Sequence, residues 1–355
     1  MNAVVDTPTA APRPAGASHV HPTHRFRWLL RREFWEHKGG FFWAPLVAGG
    51  ISLLLTLIGG GTGQVMFSRH GAKIINIDGQ QVPLSDMDWG AMLSKASPDD
   101  LRQLHDALNW MTLMAGTWPV IVFGFVVFFY FLGSLYDERK DRSVLFWKSL
   151  PLSDRDTVLS KLVTGLVAAP LIATALGLAT MFGFGLLASL FMVINGANPF
   201  TLYWAQLDPL MLLGATFGWI PVYVLWALPT AGWLMLCSAW AKSKPFLWAI
   251  AIPVVSGLLV SWFDLMGAFS ESSAWFWENV VVRALASAWP GSHLLGYVGT
   301  DYFDRLDDSP NALLGLDGML AGGHLLATPS LWIGAIVGVA MILASIRLRR
   351  WRDEG

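Results

Sequence analysis

Charged residues are scarce in this sequence. Asp, Glu, Lys and Arg make up 14% of its 355 residues, while 54% are hydrophobic. Soluble domains carry about 25% charged residues. No charged residue occurs at all in 162–207 or in 209–241. Apolar stretches of roughly 18 or more residues are long enough to cross a ~30 Å hydrocarbon layer as helices. The scarcity of charge therefore excludes a soluble globular domain and predicts an integral membrane protein.

Cysteine and the common catalytic motifs are also missing or rare. The single Cys237 excludes an intrachain disulfide and zinc sites built from cysteine pairs, so we interpret it as a small apolar core residue. There is no H-E-x-x-H, no G-x-S-x-G and no G-x-x-x-x-G-K-[ST] motif, and the glycine-rich stretch 59–64 has no lysine. We therefore expect no enzyme activity, no bound metal and no cofactor in this chain.

The long apolar stretches predict an all-α membrane protein with six transmembrane helices. The two uncharged runs are too long for one helix each, so residues 195–208 should return the chain to water between two spans. The predicted spans lie at about 41–59, 111–136, 162–192, 210–240, 246–263 and 330–346. We expect no charge buried inside the membrane.

The positions of Lys and Arg predict the orientation. With both termini in the cytoplasm, eighteen of these residues lie in the N-terminal region, 137–161, 241–245 and the C-terminus, against six in the segments 60–110 and 265–329. Cytoplasmic loops carry the excess of Lys and Arg, so 60–110 and 265–329 are predicted to lie outside. The protein is then a multi-pass protein of the bacterial cytoplasmic (inner) membrane.

The N-terminal region divides into two parts. Residues 1–23 have no apolar core and are predicted to be a disordered tail. Residues 24–40 show a moderate amphipathic pattern that is interrupted by Glu33, and they suit a helix lying in the inner headgroup layer or packed on a partner. The pair Gly39 and Gly40 would then allow a turn into the membrane.

The outside segments contain local signals. Residues 73–83 predict a short hairpin around an Asp-Gly turn, and Ser97 predicts the N-cap of a helix that continues into the second span. The aspartates of 301–308 resemble a cation site only weakly, because their spacing matches no known calcium loop. We interpret them as a solvated acidic loop.

The segment 137–161 is a charged island between two apolar spans. Paired acids stand among the bases of 137–142, the sequence Leu-Pro at 150–151 predicts a corner, and Ser153 followed by Asp156 predicts a capped second helix. A short element of this kind, held by two spans, is suited to docking on a soluble motor and passing force to the membrane. An ordinary basic cytoplasmic loop is the alternative.

These residues resemble the signature of ABC-2 type transporter permeases. The resemblance lies in residues 136–139 (YDER), 150–153 (LPLS) and 159–161 (LSK), and the layout of 24–355 is similar to the transmembrane domain of that family. In 141–143 the chain departs from the Gly-Thr or Gly-Ser step of many members, which affects the geometry of the loop. The resemblance implies a permease that pairs with a second copy and with two ATPase subunits, which hold the ATP and Mg.

The resemblance also makes 137–161 a cytoplasmic coupling loop. We expect Arg139, Asp141, Arg142 and Arg155 to contact the ATPase. Glu138 should orient the loop through a local ion pair. Phe146 and Trp147 should provide an apolar anchor. The partners are therefore an ABC ATPase in two copies, a second permease in a homodimer and the lipid bilayer, with no nucleic acid.

The expected activity is export of an amphiphile such as a peptide, a lipid or a drug. Two alternatives stay open. One is a secondary transporter or channel, which would use buried charges or repeated halves. The other is a membrane partner of an ATPase that transports nothing.

Overall fold

The computed structural model describes residues 22–69, 74–77, 80–83, 96–144, 152–267, 273–292 and 325–351. Within these residues the regular secondary structure is helical except for one two-stranded hairpin. The predicted tail 1–23 lies almost wholly outside the described residues. Phe146, Trp147 and the aspartates of 301–308 lie outside them altogether.

Fifteen α-helices are formed by the described residues, joined in places by short π-helical or 3-10 turns. The first seven are α1 (Pro22–Glu36), α2 (Ala44–Arg69), α3 (Pro98–Ala115), α4 (Thr117–Gly133), α5 (Tyr136–Lys140), α6 (Asp154–Val163) and α7 (Ala169–Ile194). The others are α8 (Pro199–Leu202), α9 (Pro209–Phe217), α10 (Ile220–Trp226), α11 (Leu228–Trp240), α12 (Pro245–Leu265), α13 (Ser273–Phe276), α14 (Arg283–Ala286) and α15 (Pro329–Trp351). The hairpin strands are β1 (Ile74–Ile77) and β2 (Gln80–Pro83), which pair antiparallel with Ile77 opposite Gln80, as the sequence predicts.

In the described residues six helical stretches are long and apolar enough to cross a membrane, which confirms the predicted number and agrees with a multi-pass membrane protein. They are Gly39–Val65, Pro98–Lys140, Asp154–Ile194, Pro209–Trp226, Pro245–Leu265 and Pro329–Trp351. Each is centred near one of the predicted spans, although most extend beyond it.

The first two spans are longer than predicted. Helix α2 runs through the glycine-rich stretch to Arg69. The outside segment was predicted to begin at residue 60, so its predicted start is corrected. Helix α3 begins at the predicted cap: Ser97 Oγ accepts from the Asp100 amide, and the Asp100 carboxylate accepts from the Ser97 amide. It then leads into α4 with only Gly116 between them.

Glycine at position 40 serves packing rather than a turn. Helix α1 is followed by two residues, 37–38, and then by a π-helical turn, Gly39–Trp43, that leads directly into α2. A Cβ atom on Gly40 would lie 2.8 Å from Cγ1 of Val126 on α4. The glycine therefore lets the two backbones approach each other.

The fourth span is divided into α9, α10 and α11, which corrects the prediction of one helix at 210–240. Each piece has a proline in its first turn, at Pro209, Pro221 and Pro229. Proline lacks an amide hydrogen and its ring clashes with the carbonyl of the preceding turn, so a helix restarts there at little cost. The chain changes helix at 218–219 and again at 227.

Residues 273–292 pack into the bundle, although the sequence placed them in the outside segment 265–329. Tyr223 Oη donates to the Ala288 carbonyl at 2.9 Å, and Thr230 Oγ1 donates to the Arg283 carbonyl at 2.7 Å. A Cβ atom on Gly124 would lie 2.9 Å from the ring of Trp289. The segment therefore contacts α4, α10 and α11, and only part of 265–329 is available as an outside loop.

The centre of the bundle is formed by α4, α7, α11 and α15, whose buried side chains form one apolar cluster. Helices α11 and α15 make the most extensive helix pair. They cross where a Cβ atom on Gly232 would lie 2.5 Å from the Gly338 carbonyl oxygen. Small residues at such crossings let the backbones of membrane helices come into contact. The resulting van der Waals packing stabilises the pair, since the hydrophobic effect does not drive helices together within lipid.

Candidate functional site

Charged side chains from four separate elements meet at one end of the bundle. They are Glu33 on α1, Glu138 on α5, Lys161 on α6 and Arg349 near the end of α15. All four are buried, with relative exposures of 0%, 6%, 2% and 5% in that order. We call this group, with the more exposed Arg32 and Asp154, the ion network. It contradicts the expectation that no charge is buried.

Lys161 links the N-terminal helix to the start of the third span. Its Nζ donates to both carboxylate oxygens of Glu33, at 2.9 and 3.1 Å. The Tyr130 hydroxyl lies 3.1 Å from the Lys161 carbonyl oxygen and 3.3 Å from Glu33 Oε2. The ring of His37 stands edge-on to Tyr130, with 4.7 Å between the centroids. Helices α1, α4 and α6 are thus joined by polar contacts away from water.

Glu138 links the same lysine to the last helix. Lys161 Nζ lies 3.0 Å from Glu138 Oε1, and Arg349 Nη1 donates to Glu138 Oε2 at 2.6 Å. Arg349 also donates through Nε to Asp154 Oδ1 at 3.1 Å. The Arg32 guanidinium stands 3.8 Å from Glu138 Oε1. One carboxylate therefore connects α5, α6 and α15.

The ion network is balanced in charge. Three carboxylates (Glu33, Glu138 and Asp154) face three cations (Arg32, Lys161 and Arg349). Burying ions costs several kcal/mol each, and the cost is offset only when every charge has close partners. Removal of one partner from such a buried group costs about 3–5 kcal/mol, because the others are left unpaired. The ion network therefore holds these elements in one arrangement.

The predicted coupling residue Arg139 bonds inside the chain. Its Nη2 donates to the carbonyls of Ser238, at 2.6 Å, and Ala241, at 2.9 Å. These carbonyls belong to the last turn of α11, where the final acceptors have no partner within the helix. The Ser238 hydroxyl in turn accepts from the amides of Leu135 and Tyr136. Arg139 thus joins the charged segment to the end of the broken fourth span.

The other predicted coupling residues lie at the surface beside the ion network. Asp141, Arg142 and Arg155 are exposed, and Arg142 has φ of +55°. Ser153 caps α6 by accepting from the Asp156 amide at 3.0 Å, which confirms the predicted start of that helix. The structure thus places Glu138 and Arg139 on the inner side of this segment, and Asp141, Arg142 and Arg155 on its outer side. Contact with an ATPase stays a prediction.

Of the four buried members of the ion network, only Glu138 was predicted as a site residue. Lys161 was noted only as part of the family-like motif, Glu33 only as an interruption of an apolar arc, and Arg349 only as one of several terminal bases. The interruption was a usable signal: the buried face of α1 carries Leu29 and Glu33 together, so the acid lies on the packed side. The partner of that acid is 128 residues away in sequence and leaves no local pattern.

A second buried charge lies toward the other end of the bundle. Arg283 has a relative exposure of 8%, and its Cζ atom lies 4.1 Å from the centre of the Trp226 ring. Its Nη1 donates to the Ser330 carbonyl at 2.8 Å. The sequence counted Arg283 among the outside bases, because nothing local shows that 273–292 packs inward.

The described residues contain no group of three or more His, Cys, Asp and Glu side chains placed to hold a metal ion. Comparisons of the chain with protein-family models, with curated proteins and with solved structures gave no match.

Proposed function

We propose that this chain is the permease subunit of an ABC-2 type exporter in the bacterial cytoplasmic membrane. Two copies would form the transport path, and two copies of a separate ATPase would supply the energy by binding and hydrolysing ATP with Mg. Both termini would lie in the cytoplasm, with α1 at the inner headgroup layer. The substrate would be an amphiphile such as a peptide, a lipid or a drug.

The observation that carries this proposal is the connection of Glu138 to both Lys161 and Arg349. A flexible loop would absorb a push from a partner protein. Here the segment that begins at residue 137 is tied through buried ions to α1, α6 and α15, and through Arg139 to α11. A force on its exposed side would therefore move several spans together, as coupling to a motor requires.

The arrangement of the predicted cytoplasmic segments also supports the proposal. Helices α1, α5 and α6 and the end of α15 meet at the ion network, and Arg139, next to Glu138 in the chain, bonds to the end of α11. These are the segments that carry the excess of Lys and Arg in the sequence. Their meeting at one end agrees with an even number of crossings between them.

A co-purification experiment tests the proposal. The full-length chain, tagged and extracted in a mild detergent, should retain a polypeptide that contains a Walker loop, and the pair in proteoliposomes should hydrolyse ATP faster than the ATPase alone. Joint reversal of Arg142→Glu and Arg155→Glu should abolish this stimulation while the permease stays folded. These two exposed residues are better targets than Arg139, because Arg139 also holds the end of α11.

Arg102→Glu provides the matched control. Arg102 is an exposed arginine, with 79% of its side chain accessible, on a segment predicted to lie on the opposite membrane face. Its reversal changes the net charge in the same direction and should leave stimulation unchanged. The proposal fails if no ATPase is retained, or if the reversals at 142 and 155 leave hydrolysis at the level of the control.

Of the two alternatives, a secondary transporter is the one that a specific observation favours, namely the buried Arg283. Ion-coupled transporters place ionisable side chains at their binding sites. Transport assays in proteoliposomes separate the two functions. An ABC exporter moves its substrate only when ATP is present on the side of the membrane that carries the ATPase. A secondary transporter moves its substrate without ATP when an ion gradient is imposed.

A further inference from the structure

Arg283 presents an unused hydrogen-bonding edge inside the protein. Among the described residues, its Nε and Nη2 atoms have no hydrogen-bond partner, and the same holds for Nε1 of Trp226. In the described part of the chain Arg283 forms no ion pair with Asp or Glu; its side chain bonds only to the Ser330 carbonyl and stacks on Trp226. Three buried donor atoms thus receive no acceptor from the described part of the chain.

The free atoms have the geometry of an anion receptor. The Nε–H and one Nη2–H of a guanidinium point in parallel, which matches the two oxygens of a carboxylate or a phosphate. The Arg283 carbonyl and its Nη1 atom are both held, by Thr230 and Ser330, so the guanidinium is fixed in place. A Cβ atom on Gly334 would lie 2.5 Å from Nη2, so the glycine leaves room for this edge.

The surroundings suit the head of an amphiphile rather than a hydrated ion. Trp226 belongs to an apolar cluster with Val222, Leu325 and Leu331. Arg283 has no carboxylate partner among the described residues, and a buried cation without a counter-ion is costly, so a site of this kind is expected to be used. The cluster would receive the apolar portion next to the anionic group.

The position of Arg283 along the membrane normal agrees with binding of a lipid head group. Arg349 marks the ion-network end of α15, and Ser330 lies 19 residues before it. At a rise of 1.5 Å per residue, the Ser330 carbonyl is about 28 Å from that end, which is close to the ~30 Å thickness of the hydrocarbon layer. Arg283 is therefore near the opposite boundary of the hydrocarbon layer, where lipid head groups begin.

From this arrangement we propose that Arg283 and Trp226 form a receiving site for the anionic head group, a carboxylate or a phosphate, of an amphiphile. The Arg283 fork binds two oxygens, and the Trp226 indole adds a donor and an apolar wall. As a site for a transported molecule it rests on the proposed function, whereas as a binding site it does not. Its test therefore uses the permease alone, without an ATPase.

Binding of tritiated oleate to the purified full-length chain in an uncharged detergent, followed by scintillation proximity, tests the site. Unlabelled oleate and phosphatidylglycerol should displace the label, and zwitterionic phosphatidylcholine should displace it far less. Arg283→Gln should weaken binding by about tenfold or more, the scale of losing a bidentate charged contact. Arg283→Lys keeps the charge without the fork and should be weakened as well.

Two further variants keep the result interpretable. Trp226→Phe removes one donor from a site that is otherwise intact, and it should weaken binding by a few-fold even if Arg283→Gln does not fold. Arg102→Gln, which removes an exposed arginine, should bind like the unaltered chain. The elution volume in gel filtration reports whether each variant is folded.

Three outcomes overturn the proposal. The first is unchanged binding in both Arg283→Lys and Trp226→Phe. The second is displacement by inorganic phosphate as effective as by oleate, which would assign the fork to a free anion. The third is binding that occurs only after Asp301, Asp304, Asp307 and Asp308 are changed to Asn, which would show that the chain's own acids fill the fork. Failure of any of these tests leaves the ATPase experiment above unaffected.

Discussion

Arg349 and Glu138, which are 211 residues apart in sequence, form a buried ion pair in which the guanidinium donates to the carboxylate at 2.6 Å. The pair connects the end of the last span to the segment that follows the second span. Glu138 also lies 3.0 Å from Lys161, so its carboxylate stands between two buried cations.

Glu138→Gln should strongly destabilise the protein. The substitution keeps the shape but removes the charge that compensates Lys161 and Arg349, and loss of one partner from a buried ion group costs about 3–5 kcal/mol. The melting temperature of the detergent-solubilised chain should fall clearly. Asp99→Asn, which breaks an exposed pair with Arg102 at 3.6 Å, should change it little. Equal melting temperatures for the two variants would contradict the role given to the ion network.

Arg142→Gly should separate stability from coupling. Arg142 has φ of +55°, a left-handed conformation that a residue with a Cβ adopts at a cost of roughly 1–2 kcal/mol. Glycine removes that strain but also removes the exposed guanidinium. We expect an unchanged or raised melting temperature together with reduced stimulation of the ATPase. A variant that is less stable, or that couples fully, would argue against this account of Arg142.

Arg139→Gln should loosen the end of α11. The guanidinium serves two carbonyls there, at Ser238 and Ala241, and hydrogen bonds to charged groups contribute about 1.5–3 kcal/mol. Hydrogen exchange of the backbone amides near residue 240 should become faster, while amides in the centre of α4 should keep their protection. If exchange near residue 240 is unaltered, Arg139 does not hold that helix end.

Gly338→Leu should disrupt the crossing of α11 and α15. A Cβ atom at this position would lie 2.5 Å from the backbone of Leu228, so the two helices would have to separate. Overpacking of this kind typically costs about 1–3 kcal/mol, and more where backbone blocks the new side chain. The control is Gly61→Ala in α2, where a Cβ atom would meet nothing within 4 Å. Alanine should stabilise that helix by about 0.5–1 kcal/mol.

Cysteine labelling tests the orientation. Single cysteines at Asp141 and Arg102, in a chain whose buried Cys237 is changed to Ala, should react with a membrane-impermeant maleimide from opposite sides. Position 102 should react in intact cells, and position 141 only after the membrane is opened. Reaction of position 141 from outside intact cells would show that the charged segment does not face the cytoplasm, where an ATPase would bind, and would contradict the proposed function.

Local patterns were enough to predict much of the fold. Hydrophobic runs long enough to span a membrane predicted six crossings, and the caps at Ser97 and Ser153 were correct, because a helix start depends on a few neighbouring residues. The strands on either side of the Asp-Gly turn were predicted for the same reason. Pro221 and Pro229 are visible in the sequence, but membrane helices tolerate proline, so the sequence did not show that α10 and α11 are separate helices.

By itself the sequence determined that this chain is helical, with six stretches long and apolar enough to cross a membrane, because burial of a helix in lipid requires only a sufficient length of apolar residues. Tertiary structure decided which charges are buried. Glu33, Glu138, Lys161 and Arg349 appear as ordinary charged residues of helix ends, and Arg283 as an outside base. They become buried because packing brings together residues that are distant in the sequence, by 128 positions for Glu33 and Lys161 and by 211 for Glu138 and Arg349. Coulomb attraction between such residues has no signature in the local sequence.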